Sequence, residues 1–91
     1  MADGFIVTWD VDSADTAMCA RLRRFIFGYA SRKGGRTYRY PGFVERDGVR
    51  YLGQSVVFVP SHDLGKLTEP LRFLGIEHLV TAASLGHLLP N

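Results

Sequence analysis

Residues 5–11, FIVTWDV, are apolar on both sides of a two-residue alternation. Phe5, Val7, Trp9 and Val11 stand on one side, and Ile6 and Thr8 with Asp10 on the other. A strand that is apolar on both faces belongs in the middle of a sheet. A second stretch of this kind, SVVFV at 55–59, is closed by Pro60. Two central strands need edge strands beside them and helices above them. The chain must therefore supply both within 91 residues.

The intervening segments read as those parts. A helix is expected from Ser13, an N-capping residue type, with Asp15 favoured in its first turn by the helix dipole. Met18, Cys19, Leu22, Phe25, Ile26 and Tyr29 fall on one side of it at helical spacing, a stripe suited to a core. The lone cysteine, Cys19, lies within that stripe, so it reads as a small buried hydrophobe and leaves no internal disulfide or cysteine-built zinc site. The pair Gly34-Gly35 is expected to stop the helix and leave a mobile basic loop. Residues 38–45 read as a strand interrupted by Pro41-Gly42, hence an edge strand. Asp47-Gly48 is a hairpin signal, and residues 49–59 read as one returning strand. A second helix carries Leu64, Leu67, Leu71 and Leu74. Pro70 within it implies a kink, or a turn followed by a helix over 69–74. Residues 78–83 are a last strand, and the tail at 85–91 adds Leu85, Leu88 and Leu89.

This order is β-α-β-β-α-β, the ferredoxin-like α+β arrangement. It predicts a single domain over 1–91 with a four-stranded antiparallel sheet in order 4-1-3-2 and both helices on one face. Right-handed crossovers put the two most apolar strands in the centre and the proline-bearing strand at an edge. A chain this small has a modest core, and apolar leucines near one end call for a covering surface. A homodimer is the expectation. No apolar run approaches the roughly 20 residues of a membrane span, and the start MADGF lacks the features of a signal peptide, so the expected location is the cytoplasm and no membrane partner is expected.

Charge is unevenly spread. Residues 21–50 hold nine of the eleven lysines and arginines against Glu45 and Asp47, while residues 1–20 hold four acids and no base. A local basic field on a near-neutral chain fits a polyanionic partner, or a solvated face. Arg23, Arg24 and Phe27 lie opposite the core stripe of the first helix. Lys33, Arg36 and Arg39 interleave with Tyr38 and Tyr40, a pattern suited to gripping phosphates while stacking on bases. The GxxxxGK[ST] spacing of a Walker loop is absent.

Asp10 and Asp12 close the first strand two residues apart and could share a side. Hard Mg²⁺ is commonly held by one or two carboxylates with phosphate oxygens, and it can activate water for phosphodiester hydrolysis. The bland alternative is that Asp10 ends the strand while Asp12 and Asp15 serve the helix start. His62, His78 and His87 lack ligand spacing, and His62-Asp63 reads as a helix-start pair.

An apolar strand ending in Trp9-Asp10-Val11, an acidic turn, and a helix bearing Leu22-Arg23-Arg24-Phe25 resemble the opening of the small ferredoxin-like CRISPR-associated nucleases and of the virulence-associated D ribonucleases. The likeness covers about the first 28 residues and the element order. It implies a metal-ligating and catalytic role for Asp10 alone, paired with its mate across a dimer. It also implies a strand exchanged between subunits, for which only the segment around Leu85–Leu89 is available. Some members of such families bind DNA as scaffolds, so binding without cleavage is equally consistent. The RNA-recognition motif shares the element order, but RYLGQSVVFV does not fit its third-strand signature. The expected function is nucleic-acid binding through Arg23, Arg24, Phe27, Lys33, Arg36, Tyr38 and Arg39, with Mg²⁺-dependent endonuclease activity at Asp10 as an extension. The alternative is a dimeric assembly or effector-binding module that does not touch nucleic acid.

Overall fold

The computed structural model describes residues 3–84. The tail leucines and His87 lie outside them. The described residues gather into two compact units, one of residues 3–10 with 48–84 and the other of residues 11–47.

The first unit is an open antiparallel sheet with one helix. β1 (Gly4–Asp10) lies between β5 (Val56–Pro60) and β6 (Glu77–Ala83), and β4 (Arg50–Gly53) pairs on the far side of β5, giving the order β4-β5-β1-β6. Val7 faces Val57 on one neighbour and Val80 on the other. Val7, Val57 and Val59 are fully buried, as are Leu67 and Leu71 of α2 (Leu64–Phe73). The apolar runs thus take the central positions expected of them, because only there are both faces of a strand removed from water. The α+β class and the four-stranded antiparallel sheet are as expected and compatible with a ferredoxin-like arrangement.

The edge beside β5 differs. Residues 49–59 do not form one strand. They fold back at Gln54-Ser55, with Ser55 at φ 62°, so that β4 pairs with β5 through a bulge between Tyr51 and Gly53. β4 takes the place expected for residues 38–45. The element order is accordingly β-α-β-β-β-β-α-β rather than β-α-β-β-α-β. Pro70 also proves less disruptive than expected. α2 runs continuously past it to Phe73, and just beyond, after the left-handed Gly75, the Ile76 amide donates to the Leu71 carbonyl at 2.9 Å. A proline nitrogen forgoes one helical bond, and the buried Leu67 and Leu71 on either side hold the helix together.

The second unit holds α1 (Thr16–Phe27) and a two-stranded ribbon, β2 (Gly28–Lys33) with β3 (Arg36–Pro41). The cap of α1 is Asp15 rather than Ser13; its carboxylate accepts the Met18 amide at 3.0 Å. Leu22 and Ile26 are buried, and Phe25 packs on Phe43 with ring centroids 5.7 Å apart. The helix does not reach Gly34. It stops at Gly28, whose φ of 81° lies in the left-handed region and whose place a Cβ would fill only 2.5 Å from the Tyr40 carbonyl oxygen. Tyr29 therefore leaves the helical stripe and begins a strand. Gly34 and Gly35, at φ 58° and 79°, form the two-residue turn of the β2–β3 hairpin, not a helix stop followed by a loop.

Candidate nucleic-acid interface

The ribbon carries most of the residues singled out for binding. Directly opposite residues of an antiparallel pair share a face, and so do residues two apart along a strand. The register Tyr29↔Tyr40, Ser31↔Tyr38 and Lys33↔Arg36 therefore assembles one face. From base to tip it reads a tyrosine pair, a serine beside a tyrosine, then two cations. The rings of Tyr29 and Tyr40 stack at 4.7 Å with an interplanar angle of 19°. The Arg24 guanidinium lies 5.1 Å from the centre of the Tyr29 ring, so α1 contributes a cation to the same face. Tyr29, Tyr38 and Tyr40 each keep more than two-fifths of their surface in water. Every residue of β3 is exposed.

The tip is electrostatically unfavourable as it stands. Lys33 and Arg36 are cross-strand partners, and like charges directly opposite destabilise a pair. Arg32, one residue before Lys33, puts a third cation near the tip on the other face, opposite Thr37. The opposite face is organised differently. Arg39 Nη2 donates to Glu45 Oε1 at 2.6 Å, and the other oxygen of Glu45 accepts the Gly42 amide at 2.7 Å. The Gly42 amide, and after it Arg39, hold the Glu45 carboxyl below its usual range. Arg39 is thus engaged within the chain, whereas Lys33 and Arg36 stand on the tyrosine face. Arg23 and Phe27 of α1 are exposed, with Phe27 at 45%. Sequence reasoning reached Lys33, Arg36 and Tyr38. It missed Tyr29, assigned to the helical stripe, and Arg32. The signal that could have found both is the Gly-Gly pair read as a hairpin turn, which fixes the register on either side.

The two aspartates fall in different units. Asp12, in the second unit, is used locally, because its Oδ1 accepts the Ala14 amide at 2.9 Å and its carbonyl accepts the Asp15 amide. Asp10, in the first unit, ends β1 exposed and directly opposite Glu77 of β6. A cleft of about 640 Å³ opens there, with Trp9, Asp10, Arg72, Glu77 and His78 among its lining residues. His78 Nδ1 lies 2.9 Å from the Ile76 carbonyl and donates to it, which leaves Nε2 as the basic nitrogen. A hard cation could take Asp10 and Glu77 as two ligands. Among the described residues, no group of three or more His, Cys, Asp or Glu side chains could hold a metal ion. The donors present are therefore short of a protein-built metal cage. His62 and the buried Asp63 pair at 3.5 Å at the start of α2, where Lys66 joins Asp63 at 3.4 Å, a helix-start cluster as expected.

No helix among the described residues is long and apolar enough to cross a membrane. No family model, curated protein or solved structure matches this chain.

Proposed function

We propose that this protein binds nucleic acid through the β2–β3 ribbon and the adjoining face of α1. The observation that carries the reading is the ordered face of the ribbon, where exposed tyrosines lead to an unfavourable Lys33/Arg36 pair. A phosphate at the tip would relieve that repulsion, and each phosphate neutralised would release condensed counterion. Arg23, Arg24, Arg32, Lys33 and Arg36 supply the contacts. With four or five made, log affinity for duplex DNA should fall against log salt with a slope of about −3.6 to −4.5. Arg36→Ala should make that slope shallower by about one unit. Arg39→Ala should change it less, because Arg39 is committed to Glu45. Absence of binding to any nucleic acid at about 50 mM salt would end this reading.

The opposition of Asp10 and Glu77 favours a second activity, Mg²⁺-dependent cleavage of nucleic acid, in line with the resemblance of the first strand and helix to the CRISPR-associated nucleases. The ion would draw its remaining ligands from substrate phosphate, water or a second copy, and would supply an activated water. Asp10→Asn should abolish Mg²⁺-dependent cleavage and leave salt-dependent binding intact. Cleavage unchanged in that variant would remove Asp10 from the chemistry.

Self-association is favoured by β6. Among the described residues it is the outer strand of the sheet, with Leu79 74% and Val80 41% exposed, and it contains no lysine, proline or bulge. The other edge, β4, is short, bulged and carries Arg50, the usual protections of an edge. A second copy running antiparallel along β6 about Val80 would set Glu77 against the second copy's Ala83 and place no like charges together.

A further inference from the structure

We infer that the ligand of the ribbon is a single strand, and that Tyr38 is the platform on which one unpaired base stacks. This rests on the nucleic-acid reading above and specifies its substrate class. Tyr38 and Tyr40 are two residues apart on one strand, so their side chains leave the same face. Their surroundings differ. Tyr40 turns its ring across the ribbon onto Tyr29, and Tyr29 lies under the Arg24 guanidinium. Tyr38 is opposed across the ribbon only by Ser31, a side chain too small to cover an aromatic ring, and 44% of its surface is exposed. The two cations of the tip follow one further two-residue step along the same face, placed for the phosphate of the next nucleotide.

A duplex cannot use this arrangement. Its bases are stacked on one another and present only their edges in the grooves, so the tyrosine faces would gain nothing from it. A single strand offers a π-face at every nucleotide, with little dependence on base identity. The face distinguishes strands by pairing rather than by sequence.

The test is fluorescence anisotropy at about 50 mM salt with four 12-nucleotide probes: single-stranded DNA, single-stranded RNA, the DNA duplex, and an abasic strand that keeps the phosphates. Wild-type protein should bind one or both single strands at least about tenfold more tightly than the duplex or the abasic strand. Loss of one base stack is expected to cost about 5- to 100-fold in affinity. Tyr38→Ala should lose that much on single strands and little on the duplex, and Tyr38→Phe should retain wild-type affinity because it keeps the ring. Lys33→Ala should weaken all four probes alike. Circular dichroism of each variant checks that the fold is kept, and Tyr38→Phe keeps the test decisive should Tyr38→Ala unfold. Equal affinity for duplex and single strand, or equal losses on both in Tyr38→Ala, would overturn the stacking platform and leave phosphate-driven binding standing. Failure to bind any probe would overturn both.

Discussion

Glu45 ties the ribbon to the 3₁₀ turn that follows it, Phe43–Glu45, and it does so through charge. Its carboxylate accepts the Gly42 amide and the Arg39 guanidinium, and both contacts favour the ionised form. The carboxyl therefore titrates lower folded than unfolded. The stabilisation is present above the unfolded value, about 4.5, and is lost as pH falls through the lowered folded value. Protection of the Gly42 amide from hydrogen exchange, relative to its intrinsic rate, should be high near neutral pH and fall in acid. Glu45→Gln should remove that pH dependence. If the exchange of Gly42 in wild-type protein is insensitive to pH once intrinsic rates are subtracted, the carboxylate does not hold this junction. Arg39→Ala should raise the Glu45 value only in part, since the backbone donor is the larger influence. At this scale the sequence shows which residues are charged or aromatic but not which partner each takes. Arg36 and Arg39 look alike in GGRTYR. They differ because a three-residue step in a strand changes the face, and Glu45 stands on only one of them.

Glycine decides where the elements of the second unit begin and end. At Gly28 any side chain meets two penalties, a left-handed backbone and the Tyr40 carbonyl 2.5 Å from its Cβ. Gly28→Ala should destabilise by about 2–4 kcal/mol, read as a shift of the denaturation midpoint. Gly34→Ala meets only the backbone penalty, because a Cβ there has open space around it, and should cost about 1–2 kcal/mol. Similar losses at the two positions would mean that the close approach of Gly28 to Tyr40 is relaxed in solution. These glycines also explain what could be read in advance. The central strands β1 and β5 were legible because burial on both faces leaves an unbroken apolar run. The ribbon was not, because its residues are mostly exposed and impose no period of two. The helical stripe also continued by chance through Gly28 to Tyr29. The reversal at Gln54-Ser55 left as little trace, since it contains neither a proline nor a glycine at the positive φ.

The sheet presents two unlike edges, and this sets the behaviour of the molecule as a particle. β4 is defended by its bulge and Arg50, whereas β6, among the described residues, has no strand beyond it and carries the exposed Leu79 and Val80. Sedimentation velocity should reveal a concentration-dependent dimer. Ala82→Pro, which removes a backbone donor directed away from β1, or Val80→Lys, which sets two cations against each other at the two-fold position, should return it to monomer. A monomer at several hundred micromolar wild-type protein would leave the edge without a function in assembly. The two strands of the ribbon stand in contrast to this sheet, for they contribute almost nothing to a core. Arg36, Thr37 and Tyr38 are all exposed. Folding places few demands on which side chains stand there. Whatever drift the rest of the chain permits, these positions are free to take any residue that tolerates an extended backbone, so the identities they hold record what the strand touches and say little about how it is held.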